Sequence, residues 1–85
     1  MTKRDKLLDR LCRRPRPTDF PWDDLVTLFK QHDFKVTCPS GSHHWFSHPS
    51  GLVFRASRSH PRGLLKTYQI EQAIEALQKI GVIGQ

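Results

Sequence analysis

The sequence predicts an α+β domain in which amphipathic helices cover one face of a three-stranded antiparallel sheet. Two segments repeat apolar residues at helical spacing, and three short segments between them alternate apolar with polar residues. Turns rich in proline, glycine and serine join the three short segments, which favours an antiparallel meander. The 85 residues fit one small domain with a thin core, and an extra short helix precedes the α-β-β-β-α order.

The first helix belongs to an amino-terminal extension, residues 1–16, that precedes a domain formed by residues 17–85. Thr2 is placed to cap this helix. Leucines at helical spacing form its apolar face: Leu7, Leu8 and Leu11. The helix ends at residues 14–17, Arg-Pro-Arg-Pro, because proline lacks a backbone donor and disfavours helix in the residue before it.

The second helix begins at Pro21, since proline is favoured at the first helical position. Asp23 and Asp24 follow, where their negative charges suit the positive end of the helix dipole. Its apolar residues recur at i, i+3, i+4 and i+7: Trp22, Leu25, Val26 and Phe29. This spacing predicts that one side of the helix packs into the core.

Three strands are predicted at residues 34–38, 43–48 and 52–57, with turns at 39–42 and 49–51. Successive side chains point to opposite faces of a strand, so the second strand divides its residues into two sets. One set is expected to face away from the helices: His43, Trp45 and Ser47. The other set is expected to point towards them: His44, Phe46 and His48.

The last helix follows a loop at residues 58–66, which has no apolar period and contains Pro61 and Gly63. Thr67 is expected to cap this helix and Gly81 to close it. Its apolar residues again lie on one side: Ile70, Ala73, Ile74 and Leu77. Two such helices on one face of the sheet leave the other face in contact with water.

The charge and the cysteines narrow the class of protein. Fourteen Lys and Arg against eight Asp and Glu give a formal charge of +6, which favours an anionic partner such as nucleic acid. Two cysteines without a Cys-x-x-Cys motif indicate a reduced, cytoplasmic protein. No apolar run approaches the roughly 18 residues of a membrane span or resembles a signal peptide, so neither membrane insertion nor secretion is expected.

Several residues have side chains that zinc accepts as ligands: Cys38, His43, His44, His48 and His60. His44 and His48 share a face but stand about 13 Å apart on a strand, at roughly 3.3 Å per residue, too far for one ion. The sequence also lacks a standard spacing of zinc ligands. We therefore expect no metal and no other cofactor.

Acid–base cleavage of RNA fits these residues better than a metal site. This reaction needs a base that takes the proton of the 2′-hydroxyl, cations that offset the charge on the phosphate, and a proton donor for the leaving oxygen. Imidazole is suited to both proton transfers, because its unperturbed pKa is about 6.5. His43 follows a Gly-Ser turn, where we expect an accessible ring. The cations nearby are Arg55, Arg58, Arg62 and Lys66. On the residues alone, a polar surface role is the more common one for any single histidine, and Trp45 is equally compatible with packing on the sheet.

The element order and three motifs resemble the HicA toxin family over about residues 21–83. The motifs are Gly-Ser-His-His-Trp-Phe-Ser-His-Pro at 41–49, His60-Pro61, and Leu65-Lys66 before the last helix. The resemblance implies a fold like the double-stranded-RNA-binding domain and an endoribonuclease toxin that cleaves messenger RNA and halts translation. It also implies a HicB-like antitoxin as partner, whose complex sets the oligomeric state.

The resemblance implies a role for His43, and the residues around it suggest further candidates. The catalytic histidine of the family follows Gly-Ser, and His43 has that position here. His60 is a candidate for a second proton-transfer group. The candidates for binding RNA are Ser42, Trp45, Arg55, Arg58, Arg62 and Lys66. Compact members lack the equivalent of residues 1–20, and they more often have Gly-Thr where this chain has Thr67-Tyr68-Gln69.

Two other functions use the same features. A non-catalytic RNA-binding module would grip an RNA duplex by its backbone through the same basic surface. A protein-interaction module would use the histidines structurally, and its affinity for RNA would be weak and nearly independent of salt.

Overall fold

The computed structural model of the chain describes residues 3–40, 43–58 and 63–83. Its elements are α1 (Lys3–Leu11), α2 (Trp22–Gln31), β1 (Lys35–Ser40), β2 (His43–Ser47), β3 (Val53–Ser57) and α3 (Thr67–Lys79). This order confirms the predicted α+β class with its extra amino-terminal helix. Within the described ranges, none of the helices has both the length and the apolar character needed to cross a membrane.

The sheet is an antiparallel meander in the order β1-β2-β3. An apolar row crosses it, because Phe46 of β2 pairs with Val36 of β1 and with Phe54 of β3. The predicted first strand continues two residues further, to Ser40, with a register shift after Thr37. The continued part of β1 includes Pro39, and proline is tolerated because β1 is an edge strand.

The core lies between the helices and one face of the sheet. Phe29 of α2 is its centre, with ring centroids 4.6 to 5.2 Å from those of Phe34, Phe46 and Phe54. The predicted apolar face of α3 is buried against the same cluster. On α2 the spacing pattern missed Leu28, which is fully buried, whereas Val26 is only half-buried.

The segment that precedes α2, which includes the amino-terminal extension, is packed into this same core. Leu11 at the end of α1 and Phe20 before α2 are both fully buried. Arg10 of α1 forms an ion pair of 3.1 Å with Asp24, and Arg16 forms one of 2.7 Å with Glu71 of α3. The proposed cap of α1, Thr2, lies outside the described residues.

The starts of two helices differ by one residue from the prediction. Pro21 is the N-cap of α2 and not its first residue, because its ψ of 146° is extended. Lys66, which is also extended, is the N-cap of α3, so Thr67 is the first helical residue. The Lys66 N–H donates a 2.9 Å hydrogen bond to Oε1 of Gln69. The side chain three residues into the helix thus satisfies the backbone donor of the N-cap residue.

The carboxyl-terminal ends of α2 and α3 are each closed by a residue with positive φ. Gly81 (φ 81°) closes α3 as predicted, with the Val82 N–H donating to the Leu77 carbonyl at 3.0 Å. At the end of α2 the same position is taken by Asp33 (φ 72°), a residue type that tolerates the left-handed region better than most. The chain then enters β1 directly.

Candidate functional site

The site begins with a cross-strand pair at the end of the sheet. His43 is the first residue of β2, and it lies opposite Ser57, the last residue of β3. Nδ1 of the exposed His43 ring and Oγ of Ser57 form a hydrogen bond of 2.9 Å. The imidazole therefore has a defined neighbour although its ring is accessible to solvent.

Ser57 is in turn held by the first turn of α3. Nε2 of Gln69 donates to the Ser57 carbonyl at 2.8 Å, while Oε1 of Gln69 accepts from the Lys66 N–H. Gln69 is only 3% exposed, an unusual burial for an uncharged polar side chain that follows from having both ends paired. Ser57 thus contacts α3 through its carbonyl and the imidazole of His43 through its Oγ.

The Ser57 contact is compatible with a His43 tautomer in which the second ring nitrogen is the basic one. When Nδ1–H donates to Oγ, Nε2 carries the lone pair and is the basic nitrogen of a neutral imidazole. The protonated ring keeps the same Nδ1–H donor, so Nε2 takes up a proton without losing the contact with Ser57. The arrangement suits proton transfer at Nε2 by a ring whose orientation is held at Nδ1.

A cavity of about 610 Å³ opens beside this pair. Nine residues from β2, β3 and α3 line it: His43, His44, Trp45, Arg55, Ala56, Ser57, Tyr68, Gln69 and Gln72. Trp45 and Arg55 lie opposite each other on neighbouring strands, and the Arg55 guanidinium stands 4.8 Å above the indole ring. The cavity therefore combines an imidazole, a cation and aromatic rings.

The structure brings some of the predicted site residues together and leaves others apart. His43, Trp45 and Arg55 share the cavity. Arg58 is exposed, and its guanidinium lies beside Gly63: Nη2 is 3.4 Å from the point that a Cβ atom on this glycine would occupy. Lys66 is exposed at the start of α3. Three predicted residues lie outside the described residues: Ser42, His60 and Arg62.

The rings of the remaining histidines of the segment turn to the opposite face, as strand alternation predicts, although His44 also lines the cavity. The His44 ring lies 4.9 Å from that of Trp22, and the His48 ring lies 5.0 Å from that of Phe34. His48 itself falls one residue after β2 ends at Ser47. In the parts of the chain that the structure describes, no three His, Cys, Asp or Glu side chains are grouped so as to hold a metal ion.

Sequence reasoning missed five residues that line the cavity: Ala56, Ser57, Tyr68, Gln69 and Gln72. The position of Ser57 could have been predicted, because counting residues outward from the turn at 49–51 pairs it with His43. Tyr68 and Gln69 gave no comparable signal, since their position depends on how α3 docks beside β3. Only the contact of Gln69 with the Ser57 carbonyl reveals its role.

Comparison with known proteins gives one match. A family model described as "HicA toxin of bacterial toxin-antitoxin" matches residues 22–82, which is more than half of the chain. Neither the curated proteins nor the solved structures gave a match. The matched range begins with α2 and includes every residue that lines the cavity, whereas α1 precedes it.

Proposed function

The chain belongs to the HicA toxin family of bacterial toxin–antitoxin systems, and on that premise we propose that it is an endoribonuclease that cleaves messenger RNA and so inhibits translation. The observation that carries the proposal is the exposed His43 ring, hydrogen-bonded at Nδ1 to Ser57 beside a cavity that also contains Arg55. An accessible imidazole next to a cation supports acid–base cleavage of a phosphodiester. In this proposal the protein acts in the cytoplasm.

The proposed reaction needs no metal ion. Nε2 of His43 takes the proton of a ribose 2′-hydroxyl, the 2′-oxygen forms a bond to phosphorus, and the bond from phosphorus to the 5′-oxygen breaks. A proton donor then protonates the departing oxygen, and His60 remains our candidate for this group. Arg55 offsets the charge that develops on the phosphate, with Arg58, Arg62 and Lys66 as further cations for the RNA strand.

The proposed partner is a HicB-like antitoxin, because a toxin of such a system must be neutralised while it is idle. A formal charge of +6 favours a partner with an acidic surface that occupies the place of RNA phosphates. Co-expression of the chain with its antitoxin should restore growth and yield a stable complex. Growth that stays arrested despite antitoxin expression would contradict this part of the proposal.

The decisive test replaces the imidazole. His43→Ala should fold like the parent chain and lose toxicity, and RNA cleavage should fall by about 10²- to 10⁴-fold, the usual contribution of a general acid or base. His43→Asn is the matched variant, since its amide retains a polar partner for Ser57 but transfers no proton. Growth arrest by His43→Ala as strong as that of the parent, at equal expression, would refute the assignment.

The same purified protein distinguishes the other functions. Labelled RNA incubated with the parent chain in excess chelator should be shortened. RNA that shifts on a gel but stays intact would instead indicate a non-catalytic RNA-binding module. Weak binding with little dependence on salt would indicate a protein-interaction module.

A further inference from the structure

The cavity beside His43 contains two exposed aromatic side chains. Across the described residues, the exposed large apolar side chains are Trp45 (42%), Val53 (46%) and Tyr68 (57%). Single exposed apolar residues are common on protein surfaces and need no explanation. Two of these three, however, line one cavity together with the imidazole.

Tyr68 is not required by the packing of α3. The buried side of this helix contains Gln69, Ile70, Ala73 and Leu77, whereas Tyr68 points away from that side. The two aromatic residues also differ in what covers them. Trp45 has the Arg55 guanidinium over its ring, but the ring contacts seen in the described part of the chain do not involve Tyr68. The phenol ring is therefore available to a ligand.

A flat aromatic ring beside a cation and an imidazole matches the chemistry of a nucleotide. Bases stack on aromatic side chains, and phosphates bind guanidinium groups. A base inside a duplex has both faces covered by its neighbours, and only an unpaired base is free to stack on a protein ring. The cavity, at about 610 Å³, lies within the roughly 300–1,000 Å³ usual for small-ligand sites.

We propose that Tyr68 is the stacking platform for an unpaired base next to the phosphodiester that faces His43, and that the site therefore selects single-stranded RNA. This inference rests on the proposed function in taking RNA as the ligand, and it adds the strandedness of the substrate and the residue that reads it. It departs from the expectation of duplex binding that a fold like the double-stranded-RNA-binding domain suggests.

The test measures binding separately from cleavage. The full-length His43→Ala chain is titrated onto a fluorescein-labelled single-stranded RNA and onto a blunt duplex of the same sequence, with fluorescence anisotropy as readout. Adding Tyr68→Ala should weaken single-strand binding by about 5- to 150-fold, equivalent to the roughly 1–3 kcal/mol of one stacked base. Tyr68→Phe should stay within about twofold, because it keeps the ring.

Val53→Ala supplies the matched control, since Val53 is comparably exposed but lies outside the cavity that contains His43. This variant should leave the affinity for single-stranded RNA unchanged. The duplex should bind more weakly than the single strand and should not respond to Tyr68→Ala. The titration is repeated with proteins that retain His43, on 2′-O-methyl RNA, which lacks the attacking hydroxyl and is not cleaved. Misfolding or weak RNA binding caused by His43→Ala is thereby distinguished from the effect of Tyr68→Ala.

Several outcomes would overturn the proposal. These are an unchanged affinity in Tyr68→Ala, a duplex bound as tightly as the single strand, or no measurable binding of the single strand. A Tyr68→Ala protein that binds RNA normally but loses the antitoxin would assign the ring to the protein interface instead. If the parent chain fails to cleave RNA yet binds single strands through Tyr68, the nuclease proposal fails while this inference stands.

Discussion

Replacing Gln69 by leucine tests the two hydrogen bonds by which its side chain joins the start of α3 to the end of β3. The side chain is almost fully buried and pairs at both ends, with the Lys66 N–H at 2.9 Å and the Ser57 carbonyl at 2.8 Å. Leucine is similar in bulk but has neither a donor nor an acceptor. In Gln69→Leu both backbone groups therefore lose their partner while the space stays filled.

The expected loss of stability follows from those two groups. A buried polar group without its partner costs about 1–3 kcal/mol. The Lys66 N–H at the start of α3 and the Ser57 carbonyl at the end of β3 are both only partly buried, so water replaces some of the lost bonding. We therefore expect the free energy of unfolding to fall by about 2 kcal/mol. For a domain of this size such a loss lowers Tm by about 8–16 °C.

Thermal unfolding followed by circular dichroism measures this change. Gln72→Leu is the control, because Gln72 is one turn further along α3 and is exposed, so its Tm should change by less than a few degrees. Gln69→Glu adds a pH test: its ionised carboxylate faces the Ser57 carbonyl, and acidification restores a donor there. The stability deficit of Gln69→Glu should therefore shrink as the pH falls. A Gln69→Leu protein as stable as Gln72→Leu would refute the assignment.

Two more predictions concern the site and the extension. Ser57→Ala should reduce RNA cleavage by roughly 2- to 13-fold, the equivalent of one hydrogen bond of about 0.5–1.5 kcal/mol, and should change the pH–rate profile, whereas Ser57→Thr should retain both. Equal rates and profiles in Ser57→Ala and the parent would contradict the positioning role. Burial raises the pKa of the Cys12 thiol, more than the charge of Arg16 lowers it, so iodoacetamide near pH 8 should modify the exposed Cys38 first and Cys12 only as the pH rises further. Mass spectrometry of a time course measures this order, and equal rates would contradict the packing of α1.

The fold was largely predictable because its elements follow local rules. The alternation in β2 correctly separated Trp45, which is exposed, from Phe46, which is buried. Boundaries were less certain because they depend on single dihedral angles. The extended backbone of Lys66 moved the start of α3 by one residue, and the continuation of β1 to Ser40 depends on an irregular register that no spacing rule describes.

The candidate site was predictable only where the strands determine it. His43, Trp45 and Arg55 come together because two neighbouring strands of the meander carry them. Gln69 was not predictable, because a pattern based on apolar residues treats a glutamine as solvent-facing. Its burial results from two partners contributed by different elements, and such tertiary pairing leaves no local trace in the sequence.

The position of the cavity also explains the packing of the amino-terminal extension. The sheet face that carries Trp45 and Arg55 stays open, so the domain must bury its apolar surface on the other side alone. A chain of this size has little such surface, and a fully buried leucine contributes about 1.5–3 kcal/mol. Leu11 supplies one from α1, and the described residues before α2 contribute nothing to the lining of the cavity. The buried Leu11 therefore adds apolar surface to the core on the side of the sheet away from Trp45 and Arg55.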